Sequence, residues 1–204
     1  MTPQTIIFFG RSGCGKGTQA ELIKKYLEEK DPARKVIYAE TGARFREFTA
    51  RDTYTGKLTK EILAQGGLLP EFLPIWVWTG LFIDNYTGNE HIITDGLARR
   101  ANESPVLDSA LRFYKRISPD VVIIDVSDKW ASDHLLGRGR YDDNQEEINK
   151  RLRWYEDNVV PAIKFFENNS DYYKIHHING EQTIEEVQKE IRSKIWRSLK
   201  QRKK

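Results

Sequence analysis

The sequence is short of cysteine and of long apolar runs, and each shortage excludes a class of protein. Its 204 residues contain one cysteine, Cys14, so neither an internal disulfide nor a zinc site built from several cysteines is possible. No apolar run approaches the ~20 residues of a membrane-spanning helix. The amino-terminal segment lacks the basic start and the cleavage site of a secretory signal. We therefore expect a cytoplasmic protein with no zinc and no membrane partner.

The basic charge of the chain is concentrated at its carboxyl-terminal end. Seven basic residues and no acidic one lie between Arg192 and Lys204. We interpret this segment as a solvated helix end, with nucleic-acid or membrane contact as the alternative. Because no groove-reading motif accompanies the charges, we expect no nucleic-acid partner. With 39% hydrophobic and 31% charged residues, residues 1–204 are predicted to fold as a single globular domain, and we expect a monomer.

Short β-rich runs separated by helix-like stretches predict an α/β fold. The runs do not alternate apolar and polar residues, which is typical of parallel strands buried on both faces. Residues 41–90 hold helical patterns without a clear strand, so we expect an insertion over the sheet. Pro161 is expected to break or kink the long helical pattern around it. The five runs predicted to form a parallel sheet flanked by helices are Thr5 to Phe9, Lys35 to Ala39, His91 to Thr94, Val121 to Asp125 and Lys174 to Ile178.

A glycine-rich stretch, GRSGCGKGTQ, stands between the first predicted strand and the first predicted helix. Glycines let backbone N–H groups turn toward phosphate oxygens, the helix amino terminus adds partial positive charge, and Lys16 can reach the outer phosphates. The strict G-x-x-x-x-G-K-[ST] pattern fails by one place, because Gly17 follows the lysine. The stretch predicts a phosphate-binding loop of a P-loop NTPase. Two interpretations of Cys14 stay open: a thiol whose pKa is lowered by Lys16 and the helix start, or simply a small residue.

The loop resembles the G-x-P-G-x-G-K-G-T-Q loop of the adenylate kinase family, the nucleoside monophosphate kinases, in which a glycine also separates lysine from threonine. Five further segments resemble family motifs in the same order, over about Ile6 to Ile195. TGARFR is similar to the turn that holds the monophosphate, GKLTKEILAQGGLLP to the monophosphate-binding helices, and ITDGLARR to D-G-F-P-R-T. HLLGRGRYDD, followed by INKRL, is similar to the arginine-rich lid region, and INGEQTIEEV to the closing strand-to-helix turn.

The resemblance implies reversible, Mg²⁺-dependent transfer of a phosphoryl group from ATP to a nucleoside monophosphate, first of all ATP + AMP = 2 ADP. Such transfer needs cations around one point, and the planar guanidinium of arginine suits phosphate. The implied catalytic residues are Lys16, Arg99, Arg138, Arg140 and Arg151. The implied ATP-binding residues are Gly13, Cys14, Gly15, Lys16, Gly17, Thr18, His134, Arg138 and Gln182. The implied monophosphate-binding residues are Thr41, Arg46, Gly67, Leu68, Leu69, Gly96, Arg99, Glu103, Arg140 and Arg151.

Magnesium needs a carboxylate, which it usually reaches through water. Two strand ends offer one, Asp95 and Asp125, and the pattern of residues does not choose between them. The similarity of DGLAR to the family motif implies that Asp95 serves Mg²⁺ and that Asp125 is structural. Asp142 and Asp143 resemble the paired acids that orient the arginines of the family, and a helix cap is the alternative interpretation.

Three departures from the family pattern concern the acceptor side. Ala43 replaces an acid, and Ala98 replaces a proline. Glu103 stands where the family places a glutamine against the AMP base, and an ionised carboxylate only accepts hydrogen bonds. Because that would also suit guanine, we expect AMP first, GMP as a competitor, and UMP and CMP below them. A shift of alignment would put Asn102 at this place instead.

A fourth departure is the lid, which the resemblance implies is reduced to residues 137–141. Only Gly139 separates the two arginines there, so exclusion of water must come mainly from motion of residues 41–90 and of the Arg138–Arg140 turn. His134 occupies the place of an arginine that stacks on the ATP base, and an imidazole can also stack.

Two other functions compete with this interpretation. One is a kinase of another small acceptor, such as a sugar acid or shikimate, against which the TGARFR segment and the insertion argue. The other is a nucleotide-binding regulatory or RNA-associated module, which the departures at Ala43 and Glu103 keep open. A binding switch needs fewer phosphate-gripping arginines than this chain carries, which favours the enzyme.

Overall fold

A five-stranded parallel sheet forms the centre of the computed structural model, which describes residues 1–40, 48–64, 69–139 and 144–201. Across the sheet the strands are ordered β2-β3-β1-β4-β5. Each predicted strand agrees with an observed one to within one residue at either end, so the α/β prediction is confirmed. The strands are β1 (Thr5–Gly10), β2 (Val36–Glu40), β3 (His91–Asp95), β4 (Asp120–Asp125) and β5 (Lys174–Asn179).

Helices cover both faces of this sheet. Because successive side chains of a strand point to opposite faces, Ile7 and Phe9 pack in one apolar layer and Ile6 and Phe8 in the other. In the described part of the chain, no helix is both long and apolar enough to cross a membrane. The helices are α1 (Lys16–Lys30), α2 (Tyr54–Ala64), α3 (Phe72–Asn85), α4 (Glu103–Phe113), α5 (Asp128–Arg138), α6 (Gln145–Trp154), α7 (Val160–Glu167) and α8 (Ile184–Gln201).

Three parts of the predicted organisation stay predictions. Helices α2 and α3 lie within residues 41–90, but whether this stretch acts as a monophosphate-binding insertion is a functional question. The same holds for a reduced lid at residues 137–141 and for the single-domain assignment. The described part of that lid is the end of α5, where Gly139 adopts a left-handed conformation with φ of 67° that suits glycine.

The long helical pattern around Pro161 is interrupted, though not at the proline itself. A π-helical turn, Tyr155–Val159, separates α6 from α7, and Pro161 lies in the first turn of α7. Proline has no N–H and its ring crowds the carbonyl four residues earlier, so the regular ladder cannot continue through the turn before it. The break therefore falls just ahead of the residue from which it was predicted.

The carboxyl ends of β1, β3 and β4 meet at one edge of the sheet. Strand β1 pairs with β3 on one side and β4 on the other, with Phe8 opposite Asp95 and Gly10 opposite Ile124. Ligands of open parallel sheets bind outside such carboxyl ends, where the strand order reverses. The glycine-rich loop leaves β1 at this point, which makes the edge the place to examine for a site.

The turn before β3 is built around the buried carboxylate of Glu90, which is 6% exposed. Its Oε2 accepts the N–H groups of Thr87, Gly88 and Asn89 at 2.9, 3.2 and 3.1 Å, and its Oε1 accepts the Thr87 hydroxyl. Burial alone raises the pKa of Glu90, but the bonds from Thr87 and Asn89 outweigh it and lower the pKa to about 2. The ionised carboxylate therefore stabilises this turn.

We expect Glu90→Gln to lower the free energy of unfolding by about 1–3 kcal/mol near neutral pH. Because the pKa is lower in the folded chain than in the unfolded one, this stabilisation is complete above about pH 5 and is lost as the pH falls toward 2. The difference from wild type should shrink over that range. Denaturant unfolding measures it, with the exposed Glu28→Gln as control. A difference independent of pH contradicts this role of the carboxylate.

Candidate active site

The glycine-rich loop turns sharply between β1 and α1 and packs against α5. Gly13 and Gly15 have φ angles of 87° and 84°, which favour glycine, and α1 begins at Lys16 directly after them. A Cβ atom at Gly13 would lie 2.6 Å from the carbonyl oxygen of Ala131. Since α1 begins without a side-chain cap, its first N–H groups are available to an anion. The local structure is that of a phosphate cradle pressed against a neighbouring helix.

Substitution of the two glycines separates backbone strain from steric overlap. Both Gly13→Ala and Gly15→Ala force an alanine into a left-handed conformation, at a cost of about 1–2 kcal/mol. Only the alanine at position 13 meets the Ala131 carbonyl, whereas at position 15 the described chain offers no neighbour within 4 Å. We expect Gly13→Ala to lower the free energy of unfolding by about 1–3 kcal/mol more than Gly15→Ala does. Equal losses in denaturant unfolding contradict close packing of loop and helix.

Three charged residues meet beside this loop. The Lys16 ammonium donates to the carbonyl oxygen of Arg11 at 3.3 Å. Asp95, at the end of β3, directs Oδ2 toward the first turn of α1, 3.2 Å from where a Cβ atom at Gly17 would lie. Burial raises the pKa of the Asp95 carboxyl, and the charges of Lys16 and Arg99 oppose the increase. The loop lysine, the strand-end carboxylate and Arg99 thus act on one another electrostatically.

Arg99 is folded back beneath the loop that follows β3. Its side chain passes Gly96, and its guanidinium lies 5.1 Å from the ring centre of Trp154. Burial lowers the pKa of the Arg99 guanidinium, while Glu103 and Asp95 oppose this change. Gly96 has φ of 74°, so the chain reverses there as glycine permits. This arrangement holds a cation close to Asp95 in a partly dry environment.

Glu103 lies beneath the same loop rather than at a surface. It is 5% exposed, and its Oε2 accepts the N–H of Arg99 at 3.0 Å. Burial raises the pKa of Glu103, and Arg100 and the N–H of Arg99 oppose the increase. Asn102 is exposed and donates to the carboxylate of Glu71 at 3.2 and 3.3 Å. The sequence pattern predicted a base contact for Glu103 but not its bond to the backbone of Arg99.

Arg100 is a residue that the sequence analysis missed. Its guanidinium donates to the carbonyl oxygen of Leu69 at 3.0 Å, which ties the loop after β3 to the segment leading into α3. Leu69 is itself one of the predicted monophosphate-binding residues. The available signal was the adjacent pair of arginines at positions 99 and 100, of which only the first matched a motif.

The predicted ATP-binding residues that follow the glycine-rich turn lie on α1, on α5 and in the turn after β5. Thr18 is exposed in the first turn of α1. His134 stacks on Trp130 of its own helix, with ring centres 4.4 Å apart and planes inclined by 24°, and its Nδ1 pairs with the Trp130 carbonyl at 2.9 Å. Gln182 donates to the Asn179 carbonyl at 2.7 Å. Trp130, absent from the predicted set, therefore covers one face of the imidazole.

The remaining predicted residues divide between described and undescribed segments. Arg138 is exposed at the last position of α5, and Arg151 is partly buried on α6. Helix α5 ends just before the stretch that joins residues 139 and 144, and α6 begins just after it. The predicted residues that lie outside the described part of the chain are Thr41, Ala43, Arg46, Gly67, Leu68, Arg140, Asp142 and Asp143.

Cys14 is not the reactive thiol of the first interpretation. It is buried at 5% exposure, and its sulfur lies 2.6 Å from where a Cβ atom at Gly10 would be. Burial raises the pKa of the thiol, and the nearby charge of Lys16 does not reverse this. The prediction of a lowered pKa is therefore wrong, and the side chain fills the space that Gly10 leaves open.

Of the two strand-end carboxylates, Asp95 fits a magnesium ion better. Asp125 is occupied by His177, whose Nδ1 lies 2.8 Å from its Oδ2, whereas Asp95 faces the phosphate loop. Within the described residues, no three His, Cys, Asp or Glu side chains group together as metal ligands. A single carboxylate suits Mg²⁺, which keeps several waters and takes other oxygens from the nucleotide phosphates.

Comparison with known proteins agrees with this geometry. The family model described as adenylate kinase matches residues 8–171. The chain is 30% identical to the adenylate kinase of Flavobacterium psychrophilum over 91% of its own length and 95% of that protein. It is 33% identical to that of Azobacteroides pseudotrichonymphae, over 92% and 94% of the two chains. Identity to the adenylate kinase of Helicobacter pylori is 32%, over 94% and 96%.

Proposed function

Because the chain belongs to the adenylate kinase family and is a phosphotransferase, we propose that it transfers the γ-phosphoryl group of MgATP reversibly to AMP, giving two ADP. The observation that carries the proposal is the meeting of Lys16, Asp95 and Arg99 beside a loop of phosphate-cradle geometry. The two competing functions, a kinase of another small acceptor such as a sugar acid or shikimate and a regulatory module, have no comparable support.

The loop and α1 bind the donor in this proposal. Backbone N–H groups of Gly13, Gly15 and Gly17 surround the phosphates, and the amino terminus of α1 adds its partial charge. Lys16 leaves the Arg11 carbonyl and bonds the outer phosphates, which places a cation where negative charge grows. Thr18, His134 and Gln182 complete the donor side at the nearby helix ends and turn. When bound, Mg²⁺ held through Asp95 neutralises part of the phosphate charge.

Arginines bind the acceptor and the group in transit. Arg99, whose charge acts on Asp95 beside the loop, is proposed to grip the acceptor phosphate, with Arg138 on the ATP phosphates and Arg151 on the transferring group. The partial burial of Arg99 strengthens this role, because charge interactions are larger where water is excluded. No acid or base at the reacting atoms is required, since positioning and charge stabilisation account for most of such catalysis.

AMP is proposed as the acceptor, in line with the names of the relatives. The competing proposal of GMP depended on the Glu103 carboxylate, which is buried and already accepts the Arg99 N–H. An occupied, buried carboxylate offers little to the donors of a guanine base. That the protein works in the cytoplasm as a monomer stays a prediction.

The test is to incubate the protein with MgATP and AMP, GMP, CMP or UMP in turn and to follow diphosphate formation by ³¹P NMR. We expect kcat/KM to be highest for AMP, ADP alone to yield ATP and AMP, and EDTA to abolish both reactions. Glu103→Gln should leave the order of acceptors unchanged. Failure to phosphorylate any of the four, or a preference for GMP that Glu103→Gln reverses, contradicts the proposal.

A further inference from the structure

We propose that Arg11 is a positioning residue, which braces the helices carrying Arg138 and Arg151 against the phosphate loop. Arg11 occupies the second position of the loop, and its side chain makes its hydrogen bonds to residues outside the predicted phosphate cradle. The inference rests on the proposed function, because it assigns Arg11 an effect on phosphoryl transfer. It adds a residue for which the nucleotide-binding pattern of the sequence supplies no role.

The first half of the brace reaches the start of α5. Arg11 Nε donates to Oδ1 of Asp128 at 2.8 Å, and Nη1 donates to the Val126 carbonyl at 3.2 Å. Asp128 is the first residue of α5, and Val126 lies just before that helix. Two groups of one guanidinium therefore hold the junction between β4 and α5. Close contact of Gly13 with Ala131 presses the next turn of α5 onto the same loop.

The second half reaches the π-helical turn after α6. Arg11 Nη2 donates to the carboxylate of Glu156, and the guanidinium carbon lies 4.6 Å from the ring centre of Tyr155. Both partners belong to the turn Tyr155–Val159, which directly continues α6. The side chain of Arg11 is only 20% exposed although both of its carboxylate partners are half exposed or more. Arginine suits this task because its planar fork can serve several acceptors at once.

The brace fixes the two helices at the ends that lie nearest to the loop. Arg138 is at the opposite end of α5, and Arg151 is one turn before the π-helical turn at the end of α6. A rigid helix that is held at its base presents the residues along it in a defined place, so the arginines arrive with less positional freedom. A displacement of about 1 Å at a reacting centre can reduce the rate by roughly 100-fold.

Arg11→Met tests the brace, because it removes the guanidinium and keeps most of the apolar stem. We expect kcat with MgATP and AMP to fall by about 10- to 100-fold, while KM for ATP changes by less than about threefold, since the loop backbone still cradles the phosphates. Arg11→Lys keeps the charge and can serve one carboxylate at a time, so it should recover part of the lost kcat. The exposed Arg153→Met on α6 is the matched control and should leave kcat unchanged.

A double mutant distinguishes bracing from a general loss of stability. If Arg11 acts through Glu156, then Glu156→Gln added to Arg11→Met should lower kcat no further, although Glu156→Gln alone lowers it. A merely structural role predicts instead that kcat of Arg11→Met returns to the wild-type value at a temperature where the variant is fully folded. Either that recovery or additive effects of the two substitutions overturns the inference.

Amide hydrogen exchange tests the same inference without activity. Arg11→Met should accelerate exchange in residues 126–138 and 145–159 more than in the strands. Unchanged exchange in both stretches overturns the brace even if the wild-type protein is an active kinase. Conversely, wild-type protein that phosphorylates no nucleoside monophosphate contradicts the proposed function. In that case, faster exchange of Arg11→Met in these two stretches still supports a brace between loop and helices.

Discussion

Lys16→Ala lowers kcat for phosphoryl transfer by more than about 100-fold, which is the loss expected when one preorganised charge is removed from a charged transition state. Lys16 is the first residue of α1 and its ammonium bonds the carbonyl of Arg11 within the same loop. No other lysine among the described residues lies in that loop. Without its charge, the outer phosphates keep the backbone N–H groups but lose the cation that faces them.

The control for this substitution is Lys164→Ala, which removes an exposed lysine of α7. Steady-state kcat measured with saturating MgATP and AMP should be unchanged in the control and strongly reduced in Lys16→Ala. Circular dichroism should show that both variants fold, because the bond from Lys16 to Arg11 is a partly exposed one. Turnover of Lys16→Ala within about tenfold of wild type would show that the phosphate charge is stabilised elsewhere.

Arg99→Ala should reduce kcat/KM for AMP by more than about 100-fold and should also destabilise the protein. The guanidinium is one of the charges that oppose the burial of Asp95 and Glu103, beside Lys16 at Asp95 and Arg100 at Glu103, so its removal raises the pKa of each carboxyl further. Because each carboxyl keeps its other partners, we expect the free energy of unfolding to fall by about 1–3 kcal/mol. Activity and thermal stability are therefore expected to fall together in Arg99→Ala.

Arg99→Lys separates these two effects. A lysine restores the positive charge for Asp95 and Glu103 but cannot bond a phosphate with two parallel N–H groups. We expect its melting temperature to approach the wild-type value while kcat/KM for AMP stays at least about tenfold low. Arg153→Ala, at an exposed arginine of α6, is the control and should change neither. Full activity of Arg99→Lys would remove the bidentate contact from the mechanism.

The sequence was sufficient to predict the fold because its signals are local and repeated. All five strands are short apolar runs, and the loop with Lys16 and Gly17 carries its own glycines and helix start. Individual side-chain contacts could not be predicted from such local signals. Burial decided the state of Cys14 and Glu103, and burial depends on neighbours that are distant in sequence, such as Ile124 beside the space at Gly10.

Contacts across long sequence separations explain most of what the pattern missed. Arg11 meets Asp128 and Glu156, which are more than a hundred residues away, and its role cannot be read from a motif that permits any residue there. The stacking of His134 on Trp130, by contrast, joins residues only four positions apart, and the helical pattern did not by itself single out this pair. The π-helical turn before Pro161 depends on how the chain accommodates the N–H that proline lacks. Hydrophobic periodicity does not predict which irregular turn results.

The near-contact of Gly13 with the Ala131 carbonyl has an evolutionary consequence. Because the obstacle is main-chain oxygen, no change of side chain at position 131 can make room for a larger residue at position 13. A lineage that loses the glycine must first relocate a whole helix, and that helix also bears an arginine proposed to contact ATP. Evolutionary change of the phosphate-binding loop is thus constrained by a segment encoded more than a hundred codons downstream.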